Sequence, residues 1–188
     1  TLADALRAVG VDLERAKDSG RELANAAAYL ELHIEQGPVL LDLGLPLGVV
    51  LGTFGVERHA IHFHGQAAHS GSTPMNRRRD AFLAAARMSP ETYAITQRHG
   101  GVGTIGSCTT KPGIVTSVVE DCRLTLDQRH LDADALAASL AEARAASERC
   151  AHEGGCDVRW ERIWNIEPVH FDPRLLRFCE EAIVETCG

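Results

Sequence analysis

Between Val56 and Glu161 the chain switches repeatedly between strand-like and helix-like periodicity, and this limits its possible folds more than any other feature. Glu57 to Gln66, Gly101 to Lys111, Asp121 to His130 and Cys156 to Glu161 read as strands. One helix is expected to start near Asn76 and run through Ala81, Phe82, Ala85 and Met88. A second follows Asp132, a suitable N-cap, with Leu136, Leu140, Ala143 and Cys150 on one face and Gly154-Gly155 at its end. The order βαββαβ closes as a four-stranded antiparallel sheet with both helices on one face, the ferredoxin-like arrangement. Pro90 inside the first helix would cost about 3 kcal/mol, so a kink or a restart capped by Ser89 is expected there.

The flanks read differently. Leu2 to Ala28 suggests helix broken near Gly10 and Gly20, and Ala28 to Gln36 alternates as a strand with Glu31, His33 and Glu35 on one face. Gly37-Pro38 stops that strand, Val39 to Leu43 is a short helix candidate, and Leu45 to Thr53 has the composition of a buried strand. After Pro168, Asp172 and Pro173 suit the start of another helix, with Leu176, Cys179 and Ile183 facing a core. A complete small domain between two partial α/β layers suggests residues 1–55 and 167–188 as parts of a larger catalytic domain, with 56–166 inserted between them.

Composition removes several function classes. A net charge of -7 disfavours a nucleic-acid partner, and 5% aromatic residues give an RNA-binding sheet too few stacking platforms. No apolar stretch approaches the roughly 18 to 20 residues that span a bilayer. The opening Thr1-Leu2-Ala3-Asp4 is not a signal peptide, so a cytoplasmic, membrane-free protein is expected. Six cysteines without a CxxC pair read as reduced thiols that pack as small hydrophobes.

Three constellations can carry chemistry. His33 closes an apolar strand, where open α/β sheets place metals and ligands, although one His is one ligand. Gly65 to Asp80 is a small-residue turn bearing His69 that leads into Arg77-Arg78-Arg79; His69 could donate to developing negative charge or simply stabilise its turn. The three arginines fall in the first turn of the expected helix and oppose its dipole, so a carboxylate such as Asp80 or a partner surface is expected to meet them, the alternative being a solvated helix end. At a strand end, Arg129 could hold a carboxylate bidentately, or pair with Asp127 on the surface. His62 and His64 share a strand face, but a metal site with His69 is not expected because a turn intervenes.

Glu31-Leu32-His33-Ile34-Glu35-Gln36-Gly37-Pro38 and His69-Ser70-Gly71-Ser72-Thr73-Pro74-Met75, with Arg78 and Asp80, resemble the signatures of the hydantoinase/carbamoylase amidases. That family includes N-carbamoyl-amino-acid hydrolases, allantoate amidohydrolases and β-ureidopropionases, within the zinc peptidase superfamily that includes aminoacylases. The resemblance implies that residues 56–166 form a lid that makes a homodimer, and that the substrate is a small ureido or carbamoyl compound cleaved at a C–N bond. It implies His33 as a ligand to one of two divalent ions (zinc, or manganese or cobalt), Gln36 as a substrate contact, His69 as the group stabilising the tetrahedral intermediate, and Arg129 as the carboxylate clamp. Thr116 stands where the family usually has a substrate-contacting Asn, and Val119-Glu120 where it has a Pro-Gly turn. The resemblance places the other ligands and the catalytic Glu before Thr1 and a last His after Gly188. By itself the chain is therefore expected to bind no metal and to be inactive, the alternative being a non-catalytic dimerisation module.

Overall fold

The computed structural model describes residues 1–187, the side chain of Glu22 excepted, and the described chain falls into two compact units, residues 1–46 and 47–188. Gly188, the last residue of the expected 167–188 segment, lies outside the described residues.

The first unit is a string of short turns. Helix α1 (Leu2–Ala8) opens with a capping box in which Thr1 and Asp4 satisfy each other's backbone N–H groups. A 3-10 segment (Leu13–Ser19) capped by Asp12 leads into one turn of helix, α2 (Gly20–Leu23), and α3 (Val39–Leu43) ends at Gly44 in the left-handed conformation. The strand expected over 28–36 is absent: those residues are irregular, and Leu30, Leu32 and Ile34 are exposed. A strand needs a neighbour to take its N–H and C=O groups, and no described strand pairs with this segment.

The second unit is organised by four strands. Of the stretch expected to be strand over 45–53, only β1 (Gly52–Thr53) pairs, and β2 (Gly55–His64) is the long strand that follows. The chain then gives β3 (Ala68–His69), α4 (Ala81–Arg98), β4 (Val102–Lys111), β5 (Ser117–Val118), β6 (Asp121–His130), α5 (Ala133–Glu153) and β7 (Asp157–Ile166). It closes with β8 (Val169–His170), which pairs with β1, and α6 (Pro173–Cys187). The main sheet is antiparallel in the order β4-β6-β2-β7, so the first and third long strands lie at its centre. Helices α4 and α5 pack on each other and on the sheet. Among the described residues no helix is long and apolar enough to cross a membrane.

Register explains the core. Ile61 faces Leu124 and Phe63 faces Cys122 across β2 and β6, and these side chains are buried with Leu126 beneath Ala81, Ala84, Ala85 and Met88 of α4 and Ala143 and Cys150 of α5. Alanine on the helix faces lets both helices approach the sheet closely. On the other sheet face the partners are polar: Arg58 opposite Asp127, His62 opposite Arg123, and His64 opposite Asp121.

Two local expectations change. Helix α4 starts after Asp80, whose carboxylate accepts from the N–H groups of Phe82 and Leu83, and Met75–Arg77 forms a separate 3-10 turn. The three arginines thus precede the helix and do not oppose its dipole. Pro90 neither ends nor restarts α4, which runs unbroken to Arg98; the ring removes only the N–H that would have bonded to Ala86, and packing of the flanking turns compensates.

Buried polar groups sit at the β2 end of the core. The Gln128 amide donates to Ser139 Oγ at 2.8 Å, and Trp160 donates to Ser147 Oγ at 2.9 Å. His59 is fully buried, with Nε2 2.7 Å from Glu57, Nδ1 unpartnered, and its ring edge-on to Trp160. Burial depresses the His59 pKa, Glu57 opposes this, and Arg144 and Arg162 add to the depression.

Phe63→Ala is expected to cost about 3 to 5 kcal/mol of stability, read as a lower urea midpoint, because it empties the centre of the core. Because the folded pKa of His59 lies below its ordinary 6.5, the unfolded chain takes the proton first. Its contribution is full above that pH and lost below it, so the urea midpoint should fall from about pH 7 to about pH 5. His59→Gln should flatten that fall; His64, which Asp121 shifts upward and which therefore acts in the opposite sense, is unchanged in that variant. An equal fall in both proteins would remove His59 as the cause.

Candidate functional site

The turn that carries His69 is built by backbone contact between two loops. Gly65 N–H donates to Glu120 C=O at 2.7 Å, Gln66 N–H to Arg79 C=O at 2.8 Å, and Ala81 N–H to Val119 C=O at 3.0 Å. A Cβ on Gly65 would lie 2.0 Å from the Arg79 carbonyl oxygen, so only glycine allows this approach. The short pairing of β3 with β5 then sets Ala68 opposite Val118 and His69 opposite Ser117, and Ser70 N–H donates to Thr116 C=O at 3.0 Å. His69 and Thr116 are therefore neighbours.

The His69 ring is held from its own turn. Gly71 and Ser72 N–H donate to Nδ1 at 3.1 and 3.2 Å, which assigns Nδ1 as the acceptor and leaves the proton on Nε2. A Cβ on Gly71 would press on the ring at 3.3 Å. Arg78 ties the turn from beneath, donating from Nε to Thr73 C=O at 3.0 Å and from a terminal nitrogen to Ser70 C=O at 2.6 Å. The exposed imidazole thus presents Nε2–H as a donor on a braced loop.

Arg129 lies elsewhere. It pairs with Val56 on β2 and Val102 on β4, at the end of the sheet opposite to His64 and the His69 turn. Eight residue steps along β6 separate Arg129 from Asp121, roughly 25 Å at strand rise. The surface pair foreseen for it is present: Arg129 Nε donates to Asp127 Oδ1 at 2.7 Å, and Arg58 shares the same carboxylate. Burial would raise the Asp127 pKa, but hydrogen bonds from the two arginines outweigh it and hold the carboxyl below its usual range. Arg58 also stacks over Trp164 at 4.9 Å. Sequence reading missed Arg58 and Trp164, because strand register, not spacing, brings them to Asp127.

His62 and His64 each meet a carboxylate of a neighbouring strand, Glu161 and Asp121, at 3.3 and 2.7 Å. Among the described residues no group of three or more His, Cys, Asp or Glu side chains could hold a metal ion. In the first unit, His33 Nδ1 contacts the Ile34 carbonyl, and both Glu35 oxygens accept N–H groups of Val39 and Leu40, so Glu35 caps α3. Gln36 takes φ 57°, the left-handed region that a side chain rarely adopts, immediately before Gly37.

No protein-family model matches the chain. It is 35% identical over 170 residues to an N-carbamoyl-L-amino acid amidohydrolase of Geobacillus stearothermophilus, covering 90% of this chain and 42% of that protein. It is 36% identical over 138 residues to the allantoate amidohydrolase of Escherichia coli (strain K12), covering 72% of this chain and 33% of that one. The crystal structure of a hydantoinase/carbamoylase family amidase from Burkholderia multivorans superposes with a TM-score of 0.80 at 37% identity, over 82% of this chain and 38% of that chain. The chain thus spans less than half the length of these relatives. By sequence and by fold it belongs to the hydantoinase/carbamoylase amidases.

Proposed function

We propose that this chain is the ferredoxin-like lid, with adjoining segments of the catalytic domain, of a metal-dependent hydrolase that cleaves the C–N bond of N-carbamoyl amino acids or related ureido compounds. The observation that carries this reading is the tautomer of His69: with Nδ1 occupied by two backbone N–H groups, Nε2–H is the free donor. Hydrolysis of a carbamoyl or amide carbon passes through a tetrahedral oxyanion, and a fixed donor aimed at that oxygen lowers the barrier without reorganising. The matched proteins named for N-carbamoyl-amino-acid and allantoate hydrolysis supply the substrate class.

The other residues take complementary roles. Arg129 keeps donors beyond those spent on Asp127 and binds the substrate carboxylate. The hydroxyl of Thr116, beside His69, contacts substrate where a longer amide would reach further, and Gln36 is proposed as a further polar substrate contact. His33 is proposed as one ligand to a divalent ion of the two-ion centre. One imidazole cannot hold a hydrolytic ion, which takes three or more protein ligands, so the described residues alone do not fit the metal centre and water activation is not assigned to them.

The proposal includes a homodimer through the lid, which the placement of His69 and Arg129 supports. In one copy of the second unit, His69 and Arg129 lie at opposite ends of ten-residue strands, too far apart to grip one amino-acid-sized substrate. A second copy that supplies the missing end resolves this. Sedimentation equilibrium is expected to show a metal-independent dimer of this chain, and a strict monomer would undercut the shared site. In the complete enzyme, His69→Ala should lower kcat about 10²- to 10³-fold on an N-carbamoyl amino acid, the cost of one oxyanion donor. Arg129→Ala should chiefly raise KM, and unchanged steady-state kinetics in both variants would overturn the assignment.

A further inference from the structure

The mechanism leaves one pair of nucleophilic side chains unused. Cys108 on β4 and Cys122 on β6 approach to 3.6 Å between their sulfurs. The other sulfur contacts are to oxygen: Cys150 to Glu91 and Cys156 to the Gly154 carbonyl. Cys122 is part of the core, so its burial has a packing reason, but Cys108 is exposed and lies outside that core cluster. A free thiol in solvent, touching a second thiol behind it, is the arrangement of a reacting cysteine and its resolving partner.

We infer that Cys108 and Cys122 form a peroxide-sensitive thiol pair, which closes to a reversible disulfide across β4 and β6. The Cys108 thiolate attacks one oxygen of hydrogen peroxide, the O–O bond breaks, and the departing hydroxide leaves as water on taking a proton. Cys108 is then a sulfenic acid, oxidised by two electrons. The Cys122 sulfur attacks the Cys108 sulfur, the S–O bond breaks, and the hydroxyl leaves as a second water with the Cys122 proton. Two thiols and one peroxide give one disulfide and two waters.

The electrostatics fit this order. Burial pushes the Cys122 thiol up to about 12, and the neighbouring Cys108 adds to the rise by hydrogen bonding and by charge. Cys122 therefore stays protonated while the exposed thiol meets the oxidant. Once Cys108 is an uncharged sulfenic acid, the part of the rise that its charge imposed is gone, while the larger part, from burial, persists and makes closure slow.

Geometry makes the bond labile. Cys108 stands opposite Leu124 and Cys122 opposite Thr110, so the two are diagonal neighbours. Diagonal Cα atoms lie about 7 to 8 Å apart, at or past the long limit for a disulfide, and a strained bond is easily reduced. Strand β4 is a sheet edge with a register shift between Ile105 and Ser107, so it has the freedom to be drawn inward. The closed ring would fasten both ends of the segment that carries Thr116 and pairs with His69.

The test is peroxide treatment of this chain, alkylation, and tryptic digestion without reductant. Trypsin does not cleave Lys111 before Pro112, so both thiols fall in the peptide 99–123. That peptide is expected to lose two hydrogens, to take up no alkylating agent, and to regain two alkylatable thiols with dithiothreitol. Cys108→Ser should abolish the change. In Cys122→Ala, Cys108 should instead accumulate as sulfenic acid, trapped by dimedone, and as higher oxides. Sulfinic or sulfonic Cys108 beside a fully alkylatable Cys122 in the unsubstituted chain, or a Cys108 bond to another chain, would overturn the pairing.

Discussion

The ten-residue antiparallel register of β2 against β6 is the constraint on which the second unit rests. Side chains in a strand alternate, so one register decides both faces together. With Ile61 opposite Leu124 and Phe63 opposite Cys122, the apolar set lies beneath the helices, and Arg58, His62 and His64 necessarily share the other face with Asp127, Arg123 and Asp121. A slip of β2 by one residue would turn Arg58, His62 and His64 toward the core and Ile61 and Phe63 away from it. Burying those groups unpaired costs several kcal/mol each, which makes the register stiff. The same pairing fixes where β2 ends and hence where the His69 turn begins.

At that end the chain uses backbone rather than side-chain packing to hold chemistry. Gly65 permits a carbonyl contact that no other residue allows, β3 and β5 add two paired positions, and the Arg78 guanidinium spans the turn. The benefit is directional. A free imidazole would sample both tautomers, whereas here two N–H groups occupy Nδ1 and commit the proton to Nε2.

Much of this was legible in the sequence, where interactions are local. The alternation in β6, the Asp132 cap of α5 and the small-residue turn around His69 all depend on near neighbours, and all are in place. What was not legible depends on distant partners. Residues 28–36 have a strand's alternation, but alternation only states which faces a strand would have and not that a neighbour exists. Pro90 reads as a helix breaker from its ring alone, while Met88, Thr92 and Ile95 on either side are buried and hold the helix together across it. The Arg58, Asp127 and Trp164 cluster joins three strands, so no spacing rule finds it.

The two ends of the sheet also differ in kind. The His69 end is an N–H donor on a braced turn, and the Arg129 end is a charged cluster in which Asp127 is shared between two guanidiniums. Two cations around one carboxylate leave a net positive charge, which the stacking of Arg58 on Trp164 stabilises without neutralising. The Arg129 end therefore offers positive charge, and the other end offers a single directed N–H donor. A carbamoyl amino acid carries a carboxylate and, a few bonds away, a carbonyl that becomes an oxyanion. Under the proposed function, these two needs match the two ends chemically but not in span, and that is why the proposal includes a second copy of the same sheet.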